Sequence, residues 1–208
     1  MRQSTHKAVS LYREAKDFVF SAGYSDEVEW QKDRCLETTT ESDFLREAAW
    51  VILCSGFKEN VVSRYFNYIT LCFCDWESAS EIVGCGQTCV NAALPAFNNA
   101  RKLQAVLETA EIVDRLGYSA LRKEICAHPI TTLKRFPYIG EVTSWHLAKN
   151  LGLQVAKPDR HLVRFSNAAG FDCVQKFCGA IAEITGDAIN VVDIILWRYG
   201  ASGLRQAS

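Results

Sequence analysis

Apolar residues recur at intervals of three and four along most of the chain, and strict alternation is scarce, so the pattern predicts a mostly helical protein. The spacing marks helices over residues 6–21, 41–54, 59–73, 78–83, 99–116, 118–127, 130–135, 141–151, 158–169, 173–185 and 187–199. Ser42 and Asp43 offer a capped start to the strongly apolar 41–54 segment and Gly56 a stop, which predicts a central core helix. No repeat of roughly 20–50 residues and no Ser/Pro/Gly linker divides the chain. The expected organisation is an N-terminal helical extension over residues 1–40 and one cooperative all-α unit over residues 41–208. The uncharged stretch 82–100 is broken by Gly84, Gly86, Gln87, Asn91 and Pro95 and does not read as a bilayer-spanning helix. Arg2, Gln3, Ser4, Thr5 and His6 open no signal-peptide core, so a cytoplasmic protein is expected.

Composition agrees with a folded interior: 49% apolar and 23% charged residues, with 12 Gly and 4 Pro in 208 positions, exclude a disordered or collagen-like chain. Net charge is −1, but residues 122–164 hold eight basic residues against three acids, so this segment carries +5 and the remainder −6. The skew permits a phosphate-attracting face and equally fits a solvated surface. The nine cysteines (Cys35, Cys54, Cys72, Cys74, Cys85, Cys89, Cys126, Cys173 and Cys178) are odd in number and follow no secretory signal, so reduced thiols are expected. None of their spacings makes the CxxC knuckle of structural zinc, and no metal site is expected; most read as small buried hydrophobes.

The informative stretch is Phe136-Pro137-Tyr138-Ile139-Gly140, between a short and a longer helical segment. Pro137 ends the first helix, Gly140 permits a tight backbone, and Glu141 lies in the first turn of the second. This is a helix-hairpin-helix pattern. It aims the free amides around Ile139, Gly140, Glu141 and Val142, together with a helix dipole, at an anion such as a DNA phosphate. Downstream, Lys157-Pro158-Asp159-Arg160-His161-Leu162-Val163-Arg164 turns into a new helix with Asp159 at its N-terminal end.

Together these segments resemble the helix-hairpin-helix DNA glycosylases of the endonuclease III, adenine-mispair and alkylation-repair type. Their pattern is apolar-Pro-Gly-apolar-Gly, a helix, then Asp-x-His-apolar-x-Arg, and Asp159, His161 and Arg164 match in identity and spacing. Weaker resemblance covers residues 44–68, 98–102 and 193–200, so roughly 40–200 in all, while the first 35 or so residues have no counterpart. The resemblance implies a two-lobed helical fold with the hairpin beside a central cleft, double-stranded DNA as partner, base excision repair as the setting and a monomer. Where relatives that also cleave the sugar-phosphate chain carry a lysine, this chain has Val142, which implies a monofunctional enzyme; Lys149 and Lys157 are the remaining lysine candidates. The family's iron-sulfur loop needs four closely spaced C-terminal cysteines and here finds Cys173 and Cys178, so no cluster and no other cofactor is expected. The first hairpin glycine is Tyr138, and the turn is expected to hold on condition that Tyr138 avoids positive φ. The run Cys54-Ser55-Gly56-Phe57 lacks the glutamine with which many relatives fill the space of a flipped base.

In that chemistry a carboxylate beside the anomeric carbon stabilises an oxocarbenium-like transition state and orients water. Asp159 is the candidate, and its competing reading is a plain helix N-cap; one residue can serve both. The hairpin residues from Tyr138 to Thr143 (Tyr138, Ile139, Gly140, Glu141, Val142, Thr143), with Lys157, Arg160 and Arg164, are the expected DNA contacts, the two arginines having a surface ion pair as alternative. His161 reads as a hydrogen-bonded structural histidine. Val142, Trp145, His146 and Lys149 share one face of the second hairpin helix, where Trp145 either stacks on a base or belongs to the core. Tyr24, Glu27 and Trp30, from an acidic and aromatic stretch, join Trp145, His146 and Phe57 as base-pocket candidates, with an exposed capping segment as the alternative for 24–30. Two rivals remain: an enzyme of the same scaffold dedicated to hypermodified, virus-type bases, and a non-catalytic helix-hairpin-helix module.

Overall fold

A computed structural model describes residues 2–203. Among the described residues the structure is all-α, with thirteen α-helices and no strand: α1 Arg2–Ser21, α2 Ser25–Lys32, α3 Glu41–Cys54, α4 Glu59–Cys72, α5 Ala79–Cys85, α6 Gln87–Ala93, α7 Ala100–Leu116, α8 Tyr118–Ala127, α9 Pro129–Leu133, α10 Thr143–Asn150, α11 Arg160–Ala169, α12 Val174–Thr185 and α13 Ile189–Ala201. No described helix is long and apolar enough to cross a membrane. The chain forms two compact units, Leu36–Leu151 and the described part of Met1–Cys35 with Gly152–Ser208.

In the first unit α3 is the core helix, as its sequence predicts, burying Phe44, Leu45, Ala48, Ala49, Val51, Ile52 and Leu53 against α4, α7 and α10. Its cap lies earlier than expected. Thr40, not Ser42, is the N-cap, and Thr40 and Asp43 bond reciprocally in a capping box, at 3.1 Å from Asp43 N to Thr40 Oγ1 and 3.0 Å from Thr40 N to Asp43 Oδ2. Asn150 at the end of α10 donates to buried Glu47 on α3 at 3.0 Å, and the Phe136 ring meets Phe44 at 5.4 Å, so the hairpin region is anchored on the core helix. After α4 a short 3-10 turn, Cys74–Trp76, has three consecutive left-handed residues at φ 55, 51 and 60. Such conformations cost L-residues roughly 1–2 kcal/mol each. Trp76 offsets this: its buried ring stacks on Phe73 at 5.4 Å, its Nε1 donates to Thr70 at 2.9 Å, and burying an aromatic ring contributes on the order of 3 kcal/mol.

In the second unit α1 lays Ala8, Leu11, Tyr12, Ala15 and Val19, spaced by three and four, on α11, α12 and α13. Tyr12 donates to Asp187 at 2.7 Å, where Lys16 also pairs at 2.7 Å; burial and that carboxylate push the Tyr12 phenol up. The segment expected as an N-terminal extension thus contributes α1 and α2 to the same hydrophobic core as the C-terminal helices. Residues 24–30 differ from a capping segment: Ser25–Lys32 is helical, with Val28 and Gln31 buried.

Candidate functional site

Each half of the predicted site is built within one unit. In Leu36–Leu151, α9 and α10 flank the hairpin, whose turn closes by a hydrogen bond from Ile139 N to Phe136 O at 3.1 Å. Phe136 and Ile139 are buried, fixing both ends of the reversal, and Tyr138 takes φ 61 at the position where such a turn ordinarily asks for glycine. This corrects the condition placed on Tyr138: the turn holds with the tyrosine left-handed, at a cost of about 1–3 kcal/mol. Thr143 clamps it, its hydroxyl accepting from Gly140 N at 2.7 Å and donating to Tyr138 O at 3.1 Å. Gly140 itself is not left-handed, and a Cβ there would meet nothing within 4 Å, so the conformational demand falls on Tyr138 instead.

The anion-facing amides shift accordingly. Of the four expected, Ile139 N and Gly140 N have acceptors inside the hairpin, whereas Glu141, Val142 and Thr143 present amides with no protein acceptor among the described residues, at the positive end of α10. The Glu141 carboxylate pairs with Lys134 at 2.5 Å. Along α10, Val142 is 40% exposed, Trp145 and His146 are half-buried and Lys149 is buried, so the shared face descends from solvent into the core. Pro137 and Tyr138 line an open groove of about 440 Å³ together with Gln87, Arg101, Gln104 and Glu108. Phe57, Trp145 and His146 do not line this groove. Phe57 is exposed and packs against Phe97 at 5.6 Å.

Between Phe57 and Tyr138 lies a residue that the sequence pattern marks only as part of a helix start, not as part of the site. Lys102 on α7 is 4% exposed, and its ammonium donates to the last carbonyls of α3, Ile52 O and Leu53 O, the latter at 3.1 Å. The Phe57 and Tyr138 rings lie 5.3 and 5.1 Å from Nζ. Burial lowers the Lys102 amine to about 8. The signal was available in part, because Lys102, Ala105, Val106 and Thr109 follow the buried stripe of α7.

In the other unit Asp159 is the N-cap of α11. Its Oδ1 accepts from His161 N at 2.9 Å and Leu162 N at 3.1 Å, while Oδ2 has no hydrogen bond among the described residues and the residue is half-buried. The preceding loop is held by side chains from two other helices. Gln175 of α12 accepts from Ala156 N at 3.0 Å and donates back to Ala156 O, and buried Asp193 of α13 accepts from Lys157 N at 2.6 Å. Gln154 accepts from Ile189 N at 3.0 Å. Neither Gln175 nor Asp193 was singled out for this role from sequence. Arg160 and Arg164 are exposed and form no ion pair among the described residues; Arg160 Nε donates to His161 Nε2 at 3.3 Å and Arg164 lies over the Phe165 ring at 5.1 Å. His161 is buried, its Nδ1 without a hydrogen-bond partner, and burial lowers its pKa against the opposing pull of Asp159. Gly200 of α13 packs on it so closely that a Cβ would lie 2.9 Å from His161 Cβ.

The remaining pocket candidates belong to this second unit and are engaged with neighbours. Glu27 forms a two-point ion pair with Arg198, at 2.9 and 2.5 Å, and that guanidinium lies 4.6 Å from the Tyr24 ring. Trp30 is half-buried with Arg34 over its ring at 4.6 Å. No family model, no curated protein and no solved structure matches this chain.

Proposed function

We propose that this protein is a monofunctional DNA N-glycosylase that flips a damaged or modified base and hydrolyses its bond to the sugar with Asp159 as the catalytic carboxylate. The observation that carries the reading is the divided use of Asp159: Oδ1 is fixed by two backbone amides while Oδ2 is left without a protein partner. A carboxylate so oriented stabilises positive charge developing at the anomeric carbon and orients the attacking water, whose proton it accepts as the base departs. The Gln175 and Asp193 clamps hold the loop that carries it, which limits reorganisation during the reaction. The amides of Glu141, Val142 and Thr143 suit a backbone phosphate, and the unpaired Arg160 and Arg164 add charge-assisted contacts. Val142 offers no amine for attack on the sugar, Lys149 is buried and Lys157 is assigned to a phosphate contact, so hydrolysis without strand cleavage is expected.

A second reading, a non-catalytic DNA-binding module, draws on the same capping bonds, since an N-cap needs no chemistry. Asp159→Asn separates the two because asparagine also caps helices well. Loss of base release with retained DNA binding and unchanged stability supports the enzyme. A wild-type protein that binds DNA and releases no base supports the module.

A further inference from the structure

Cys74, Cys85 and Cys89, which sequence spacing kept apart, come together at one place in the Leu36–Leu151 unit. Their three Sγ atoms all lie within 4.8 Å of one another, and Cys74 and Cys85 approach to 3.6 Å. We propose that these three thiols form a binding site for a thiophilic divalent cation, Zn²⁺, with its fourth position open to solvent.

The separation fits. Two thiolates bound tetrahedrally at about 2.3 Å from one zinc stand about 3.8 Å apart, close to the Cys74–Cys85 distance, whereas a disulfide requires about 2.05 Å. The backbone is shaped for the convergence by two separate devices. Cys74 begins the left-handed turn whose three residues all have positive φ, a run that non-glycine residues rarely adopt. Between Cys85 and Cys89, Gly86 at φ 51 breaks α5 from α6 and sets the two cysteines, one on each helix, within ligand distance. Burial grades across the site: Cys89 is buried, Cys74 half-buried and Cys85 exposed, so a cation enters from the Cys85 side and keeps water as its fourth ligand. Loading forms three Zn–S bonds as each S–H releases its proton to solvent, with no change of oxidation state.

The test uses the full chain, purified anaerobically and reduced. Zinc content is measured after desalting, and Co²⁺ is titrated in while the near-ultraviolet sulfur-to-cobalt band is followed, with Zn²⁺ as competitor. The expected result is one equivalent per chain, an affinity that climbs with pH, and a loss of about tenfold or more in Cys85→Ser. Because Cys85 is exposed, that variant keeps its fold, which far-ultraviolet dichroism checks; Cys126→Ser, exposed and outside the cluster, binds as the wild type does. Absence of the cobalt band in the wild type, or a Cys85→Ser variant that binds Co²⁺ as tightly as the wild type, overturns the proposal.

Discussion

Lys102→Met tests how the hairpin is seated on the core. Lys102 is 4% exposed, its amine bonded to Ile52 O and Leu53 O, and burial lowers its pKa to about 8 from the ordinary 10.5. Because the folded value is the lower one, the unfolded chain holds more protons between the two, and stability rises with pH through that window. Between about pH 7 and about pH 10 this linkage adds about 2–3 kcal/mol to the wild type, a contribution methionine lacks. At the lower pH the variant escapes the cost of a buried charge but leaves two carbonyls without their donor, at about 1–3 kcal/mol. Urea unfolding followed by dichroism at both pH values, with equal m-values as the check on two-state behaviour, gives the difference between the proteins. That difference should move by about 2–3 kcal/mol in favour of the wild type at the higher pH. Curves that stay parallel to within about 0.5 kcal/mol would refute the reasoning, because a solvated amine titrates alike in both states.

Gly200→Ala should destabilise by about 1–3 kcal/mol in urea unfolding, since its Cβ would lie 2.9 Å from His161 Cβ and 3.0 Å from Cγ and Nδ1. An open helical site would instead gain about 1 kcal/mol from the same change, so the sign decides. Arg160→Gln and Arg164→Gln should each lower the slope of log affinity for duplex DNA against log salt by about one, measured by fluorescence anisotropy; unchanged slopes would remove these arginines from the phosphate contacts.

Long amphipathic helices were legible because their burial is periodic: α3, α7 and α11 through α13 lie within a few residues of where the apolar spacing puts them. Two helices were not. α2 buries little beyond Val28 and Gln31 and carries Asp26, Glu27, Glu29 and Lys32, so it offered no stripe to read. α6 lies in an uncharged run where Gly84 and Gly86 obscure the period, and the break between α5 and α6 shows itself in the positive φ of Gly86. At the site, Asp159 and the hairpin could be named because their spacing is local. The left-handed Tyr138 could not, since tertiary anchors at Phe136 and Ile139 override a tyrosine's own preference. Gln175 and Asp193 meet the Asp159 loop from 19 and 36 residues away, and Cys74 joins Cys85 and Cys89 across a turn of unusual backbone, so no sequence window contained either arrangement.

The central claim is chemistry at Asp159, and mass spectrometry of free bases tests it most directly. Wild type and Asp159→Asn are incubated with duplexes carrying alkylated, oxidised, deaminated and virus-type modified bases, and the released bases are identified. The account predicts that wild type releases one class of base and leaves an intact abasic strand, while Asp159→Asn binds the same DNA and releases none. Equal release by both proteins would contradict it.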